Sequence, residues 1–223
     1  MFKMCFEHLD LLDKHLKFYT MATENKYKTE FVEILKATER ENIDYVIEDL
    51  EDLGFFEAPA SCKNHYNFEG GLVEHSLNVY KIAVMLKEQM SKLRPDVVSR
   101  IPDDSIAIAA LLHDVCKADI YKKVTKKVRN EIGVWEAQEA YNIDYSDFPL
   151  GHGEKSVIML LRSGLDLNDD EIMAIRWHMG SWDIAFQSSE MVASNRKAKE
   201  ICPLLSLIHT ADTLAAGILE GKG

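Results

Sequence analysis

The chain has 223 residues, of which 47% are hydrophobic and 28% are charged, and its formal net charge is −11. These values are typical of a soluble globular protein. The sequence contains no run of about 18 apolar residues, so no membrane span is expected. The acidic balance argues against extended nucleic-acid binding, because a protein that binds the phosphate backbone usually has a basic surface.

Cysteine usage and the first residues of the chain favour a cytoplasmic location. The four cysteines stand at positions 5, 62, 116 and 202 and form no CxxC pair. They therefore predict neither a disulfide framework nor a structural zinc site. The first residues include acidic side chains and no long apolar core, which argues against a secretory signal.

The first 60 residues have apolar side chains at helical spacing. Helices are predicted over Phe2–Tyr19, over Thr29–Ala37 and from Asn42 to a stop at Gly54. We interpret residues 1–60 as an N-terminal helical extension that packs on the core. Residues 61–223 are then the main domain.

Helical spacing continues through most of the remaining chain. The predicted helices are Leu72–Leu93, Ser105–Lys117, His152–Arg162, Asn168–Met179 and Ala193–Leu219, the last with a break at Pro203. Asp103, Asp104 or Ser105 is expected to cap the second of them. Residues 120–145 contain β-type side chains around Asn130–Gly133, which predicts a small β-hairpin or irregular insertion. The chain is therefore assigned to the all-α class with this one insertion.

Six His and Asp residues lie on apolar faces of these predicted helices. They are His75, His113, Asp114, His152, His178 and Asp212. A single His in such a position is usually a core residue hydrogen-bonded to a carbonyl, but six buried titratable groups need strong partners. A centre of two divalent metals is the simplest partner. His and Asp suit Fe, Mn, Zn, Co or Ni, and Mg is a further candidate.

The order of these residues resembles the signature of the HD-domain superfamily of metal-dependent phosphohydrolases. That signature is His, then His-Asp, then Asp, and here it reads Glu74-His75, His113-Asp114-Val-Cys-Lys117 and His209-Thr-Ala-Asp212. His152 and His178 resemble the additional ligands of its binuclear subgroups. The segment from Asn64 to Leu77 is similar to the HD part of bacterial 3′–5′ exoribonucleases of the YhaM type.

The resemblance implies an HD-domain helical bundle and a ligand scheme. One metal would be held by His75, His113, Asp114 and Asp212, and a second metal by Asp114, His152 and His178. Asp114 would thus bridge the two metals. His209 is expected to be an outer hydrogen-bond partner of this centre.

The expected function is that of a metal-dependent phosphohydrolase. It would cleave a phosphate ester of a nucleotide or another small phosphorylated metabolite with a metal-activated water. Asp114 and Lys117 are the predicted catalytic residues. Lys117, one helical turn after His113, and Lys155 are predicted to bind the substrate phosphate. Trp182 is interpreted as a packed core residue, with stacking on a base as the alternative.

Two other functions remain open at this stage. Some HD proteins use a similar ligand set to hold a mixed-valent di-iron centre and perform oxygenation, and a non-catalytic module that binds a nucleotide is a third hypothesis. No GYP motif follows His178, so hydrolysis of cyclic di-nucleotides is not predicted. The N-terminal region shows no β-rich nucleic-acid-binding module, which argues against processive RNA degradation. A homo-oligomer is compatible with the sequence, and no membrane partner is expected.

Overall fold

The computed structural model describes residues 26–145, 147–184 and 188–221. The helices are α1 (26–36), α2 (Ile43–Leu53), α3 (Gly71–Ser91), α4 (Pro95–Val98), α5 (Asp103–Leu112), α6 (Cys116–Ile120), α7 (His152–Arg162), α8 (Asp169–Trp177), α9 (Ser189–Ile201) and α10 (Pro203–Leu214). A 3₁₀ turn (Gly180–Asp183) follows α8, and a π-helical segment (Ala215–Leu219) follows α10. The predicted all-α class is confirmed, whereas the helix predicted over Phe2–Tyr19 lies outside the described residues.

Helix α5 occupies the centre of the fold. All of its residues from Ser105 to Leu112 are buried, so it has no solvated face. It packs against α3, α8 and α10. A helix that is apolar on every side is stable only when other elements surround it, which explains why this run shows no amphipathic pattern.

The helical run that carries His113 and Asp114 is interrupted, contrary to the single helix predicted over Ser105–Lys117. Helix α5 ends at Leu112, and α6 begins only at Cys116. The turn between them is closed by i→i+3 backbone hydrogen bonds, which wind the chain more tightly than α-helical ones. The His-Asp pair therefore occupies a helix end rather than a helix interior.

The predicted side-chain cap of α5 is wrong. The N-cap position is Pro102, and no side chain caps the helix. Ser105 Oγ instead donates to Glu171 Oε1 of α8 (2.6 Å), and Asp104 accepts a hydrogen bond from Arg40 Nε (2.9 Å). These polar residues make tertiary contacts because Glu171 is fully buried and needs donors.

The insertion predicted near residues 120–145 is a two-stranded antiparallel sheet. Strand β1 (Tyr121–Arg129) pairs with β2 (Trp135–Ile143) along the full length of both strands. Their connection contains Gly133 at φ +82°, a left-handed conformation that glycine adopts without steric cost. Most of both strands is exposed, while Tyr121 at the base lines a cavity beside α6.

The break predicted at Pro203 is confirmed. Helix α9 ends at Ile201, and α10 starts at Pro203, whose missing N–H is tolerated in a first turn. Cys202 Sγ accepts a hydrogen bond from Leu205 N (3.4 Å) at this start. In the described ranges no single helix is long and apolar enough to cross a membrane, and only α9 and α10 with the π-helical segment have that composition together, as a pair bent by 102°.

Helices α1 and α2 pack on the rest of the bundle. Phe31 and Leu35 of α1 belong to the same buried hydrophobic cluster as Leu72 of α3. The connection between α1 and α2 carries Arg40, whose guanidinium pairs with Glu171. The division into residues 1–60 and 61–223 remains a prediction.

We expect Arg40→Met to lower the free energy of unfolding by about 2–3 kcal/mol, because Glu171 would remain buried without its charged partner. Urea denaturation measures this change. Arg94→Met is the matched control, since Arg94 pairs with Asp96 on the exposed surface, and it should leave stability unchanged. Wild-type stability of Arg40→Met would mean that the neutral donors around Glu171 are sufficient.

Candidate metal centre

The Asp114 carboxylate lies within a cluster of four histidines. Its Oδ2 atom is 3.5 Å from His75 Nε2 and 3.2 Å from His113 Nε2. Its Oδ1 atom is 3.4 Å from His178 Nε2 and in direct contact with His152 Nε2. Each carboxylate oxygen thus faces a separate pair of imidazoles, a geometry that suits a carboxylate shared between two metal ions.

Asp212 completes the cluster. Its Oδ1 atom is 3.4 Å from His75 Nε2. Among the predicted ligands, three overlapping groups have ligand atoms within 4.8 Å of one another: His75, His113 and Asp114; His113, His178 and Asp212; Asp114, His152 and His178. The structure therefore brings all six predicted ligands together.

The helix ends explain how residues so distant in the chain converge. His113 directly follows α5, His178 directly follows α8, and His152 is the first residue of α7. His75 lies near the start of α3 and Asp212 in the last turn of α10. Sequence spacing placed all six ligands on helix faces, but several of them stand at helix termini that meet at one end of the bundle.

Hydrogen bonds determine which nitrogen of two imidazoles carries the proton. His113 Nδ1 donates to Ala110 O (2.8 Å), and His178 Nδ1 donates to Ile175 O (2.7 Å). Since a carbonyl oxygen only accepts, Nδ1 must be protonated in both rings. In the neutral rings Nε2 is then left with a lone pair directed at the carboxylates.

The donor atoms of the cluster fit a divalent metal. The Nε2 atoms of His75, His113 and His178 are buried and have no hydrogen-bond partner among the described residues. A buried lone pair that faces carboxylate oxygens is costly unless a cation lies between them. Imidazole nitrogen and carboxylate oxygen are the ligands that first-row divalent metals accept.

Burial and mutual contacts shift the ionisation of these groups. Burial lowers the pKa of His75, but the close carboxylates of Asp114, Asp212 and Glu220 outweigh it and raise that pKa well above its usual range. Burial raises the pKa of Asp212, but its contact with His75 and the other nearby imidazoles bring that pKa below its usual range. Burial lowers the pKa of His178, which keeps this ring neutral and able to bind a metal.

Two further residues at the cluster were not predicted. Glu220 is buried and accepts hydrogen bonds from His75 Nδ1 (2.9 Å) and Asn78 Nδ2 (3.0 Å). His65 lies beside His75 with ring centroids 5.2 Å apart. A carboxylate on the remote nitrogen of a ligating His orients the ring and raises its basicity. No sequence spacing links Glu220 to His75, which is 145 residues away, whereas His65 stands in the segment that carries the exoribonuclease resemblance.

Lys117 and Tyr121 present donors beside the cluster. Lys117 Nζ is 2.5 Å from Asp114 Oδ2, and its side chain is largely buried. Burial raises the pKa of Tyr121 to about 12, so that the phenol stays protonated near neutral pH. Both side chains line the same cavity.

Lys155 lies apart from this cavity, contrary to its predicted substrate contact. Its side chain is buried, its Nζ atom pairs with Asp119, and the same atom donates to Phe148 O (2.9 Å). These contacts satisfy the buried ammonium within the fold. Lys155 therefore stabilises the fold through Asp119 and Phe148, and its predicted role in substrate binding is wrong.

A cavity of about 750 Å³ opens over the cluster. Its lining includes Asp114, His152, His178 and Asp212 together with His209. His209 Nδ1 lies 2.5 Å from the backbone oxygen of His178, and its role as an outer partner of the centre remains a prediction. The size of the cavity suits a small molecule.

Trp182 stands at the rim of this cavity. Trp182 is 88% exposed, so its interpretation as a packed core residue is wrong. It belongs to the 3₁₀ turn that begins two residues after His178. The alternative, in which the indole is free to stack on a ligand, agrees with its exposure.

A family model described as the HD domain matches residues 72–217, which is well over half of the chain. The chain belongs to the HD domain family. A segment of 89 residues is 36% identical to dihydroneopterin 2′,3′-cyclic phosphate phosphodiesterase of Methanocaldococcus jannaschii. This match covers 40% of the chain and 32% of the relative, so the chain spans about a third of the length of that relative. No solved structure gives a significant match, and the local similarity to YhaM-type exoribonucleases remains a prediction.

A glycine sets the distance between two helices of this HD domain. Gly153 lies against the backbone of α8, and a Cβ atom added to it would stand 2.3 Å from Arg176 O. A contact this short cannot be relieved by turning a side chain, because a Cβ atom has a fixed position and the atoms that it would meet belong to the backbone of α8. Gly153 therefore allows the approach of α7 to α8 that brings His152 beside His178.

We expect Gly153→Ala to push α7 away from α8, which costs about 1–3 kcal/mol of stability and lowers the metal bound per chain. Thermal unfolding and elemental analysis measure the two effects. Gly151→Ala is the matched control, because its Cβ would meet only the end of the Glu154 side chain at 3.1 Å and a carboxylate oxygen of Asp183 at 3.7 Å. A Gly153→Ala variant with normal stability and metal content would contradict this account of the helix contact.

Proposed function

We propose that the protein is a metal-dependent phosphohydrolase that cleaves a phosphate ester of a nucleotide or another small phosphorylated metabolite. The observation that carries the proposal is the position of the Asp114 carboxylate at the base of a cavity. Each of its two oxygens faces a separate pair of imidazoles. Membership of the HD domain family supports the same activity.

We propose the following ligand assignment. One metal would be bound by His75, His113, Asp114 and Asp212, and a second by Asp114, His152 and His178. When bound, the metals would lower the pKa of a coordinated water toward neutrality and withdraw charge from the phosphoryl oxygens. Glu220 would hold the ring of His75 through Nδ1, and His209 would act outside the ligand set.

Lys117 is the proposed electrophilic side chain. The Lys117 ammonium contacts Asp114 in this structure. A substrate phosphate bound above the cluster would give the ammonium a second anionic partner. Negative charge that develops on the phosphoryl oxygens in the transition state would be stabilised by this preplaced cation. The Tyr121 phenol, neutral near pH 7, is placed to donate a hydrogen bond to the same ligand.

The substrate is proposed to be small and anionic. The cavity volume of about 750 Å³ fits a mononucleotide-sized ester, and the net charge of −11 disfavours a long polyanion. The relative from Methanocaldococcus jannaschii bears the name of a cyclic phosphate phosphodiesterase, so cyclic phosphodiesters are the first substrates to test. Free Cys62, Cys116 and Cys202 are compatible with the expected cytoplasmic location, which remains a prediction together with homo-oligomerisation.

Hydrolysis of 2′,3′-cyclic nucleotides and simple phosphate monoesters, measured as phosphate or monoester release with added Mn²⁺, Fe²⁺, Co²⁺ or Mg²⁺, tests the activity. We expect Lys117→Met to lower kcat by about 100-fold, because the cation beside the phosphoryl group is lost. Lys122→Met is the matched control, since Lys122 is exposed on the hairpin, and it should retain full activity. Unchanged turnover in Lys117→Met would remove this residue from the mechanism.

Metal content tests the ligand assignment separately from activity. Elemental analysis should find about two metals per chain in the wild type and about one in the His152→Ala/His178→Ala variant, because only the second set of ligands is removed. One metal or fewer in the wild type, unchanged by the substitutions and not restored by reconstitution, would contradict the binuclear assignment. Iron as the main metal, with oxygen uptake and no ester hydrolysis, would favour the oxygenase hypothesis instead.

A further inference from the structure

The 3₁₀ turn after α8 holds one large aromatic side chain in solvent. Trp182 is 88% exposed, although tryptophan is on average among the more buried residue types in folded proteins. Its indole lines the same cavity as Asp114 and Lys117. An exposed indole beside a deep polar site is a surface suited to an apolar ring.

The turn that carries Trp182 is fastened on both sides. Gly180, the first residue of the turn, adopts φ +57° and lies close to the His209 ring, since a Cβ atom added to it would stand 3.0 Å from His209 Cε1. At the end of the turn, the Asp183 carboxylate accepts a hydrogen bond from Arg176 Nη1 (2.5 Å). Within the turn, the Trp182 backbone N–H donates to Met179 O (3.2 Å). These contacts hold the backbone of the turn, and Trp182 is exposed where the turn lines the cavity.

The charged and aromatic parts of the cavity suit different parts of one ligand. The proposed metal ligands and Lys117 favour a phosphate group at the base. Trp182, with the half-exposed Tyr145 also in the lining, favours a planar apolar group nearer the rim. A nucleotide combines these two chemistries in one molecule of suitable size.

We propose that Trp182 stacks on a planar heteroaromatic ring of the substrate and so selects nucleoside-type phosphates over phosphate esters that lack such a ring. This proposal rests on the proposed function for the location of the phosphate. It adds a substrate class and the residue that recognises it. Stacking on an aromatic side chain tolerates different bases, because every base presents a π-face.

Binding of non-hydrolysable probes tests the stacking without depending on catalysis. The probes are the 5′-methylene phosphonate analogues of adenosine, guanosine, cytidine, uridine and plain ribose, titrated calorimetrically into the metal-loaded protein. At least one nucleoside phosphonate should bind about 5- to 100-fold more tightly than the ribose phosphonate. Equal affinity of all five probes, or no binding of any nucleoside probe, would overturn the proposal.

Variants identify the residue that is responsible. Trp182→Ala should remove most of the preference for the nucleoside probes and leave the affinity for ribose phosphonate unchanged, whereas Trp182→Phe should keep much of the preference because it retains an aromatic face. Trp135→Ala is the matched control, since Trp135 is also exposed but lies on β2 and outside the cavity lining. A preference that survives Trp182→Ala would overturn the assignment.

The two proposals fail in different ways. A protein that prefers nucleoside phosphonates through Trp182 but hydrolyses no ester would contradict the proposed function and leave the stacking intact. A protein that hydrolyses ring-free esters as fast as nucleotides, in the wild type and in Trp182→Ala alike, would contradict the stacking and leave the phosphohydrolase intact.

Discussion

The burial of the Asp114 carboxylate is the constraint on which the rest of this structure depends. Asp114 is 1% exposed and lies two residues after the end of α5, whose residues from Ser105 to Leu112 are all buried, so its negative charge has to be compensated inside the protein. Four imidazoles and the Lys117 ammonium supply that compensation, and each carboxylate oxygen serves a different pair of imidazoles. A divalent metal on each side would satisfy the same oxygens and the free Nε2 lone pairs together.

This arrangement requires helix ends, rather than helix faces, to meet. The interruption after α5 and the end of α8 each place a His where its Nδ1 can donate to a carbonyl of the preceding turn, which aims Nε2 at the cluster. The close contact of Gly153 with α8 and the anchored turn after His178 bring the remaining parts to the same end of the bundle. The packing of the helices therefore determines where the candidate metal ligands lie relative to one another.

Around the charged centre, the protein arranges residues by their chemistry in layers. Glu220 and His65 lie beside His75, and the Glu220 carboxylate accepts a hydrogen bond from His75 Nδ1. Lys117 and Tyr121 bring donors to the cavity, and Trp182 brings an aromatic surface to its rim. The hairpin contributes Tyr121, at its base, to the cavity lining, and most of its other residues are exposed.

The sequence by itself determined the all-α class, an insertion near residues 120–145 that was predicted as a small β-hairpin or an irregular segment, the break at Pro203 and the six candidate ligands. Helical periodicity, β-type composition and proline geometry are local properties of the sequence, and the ordered His and Asp residues were recognised by their resemblance to the HD-domain signature. Only the tertiary structure decided that α5 ends before His113 and that Trp182 is exposed. It also decided that Lys155 pairs with Asp119 and does not line the cavity. Glu220 meets His75 from a distant part of the chain for the same reason, since such contacts depend on how helices pack and leave no regular spacing in the sequence.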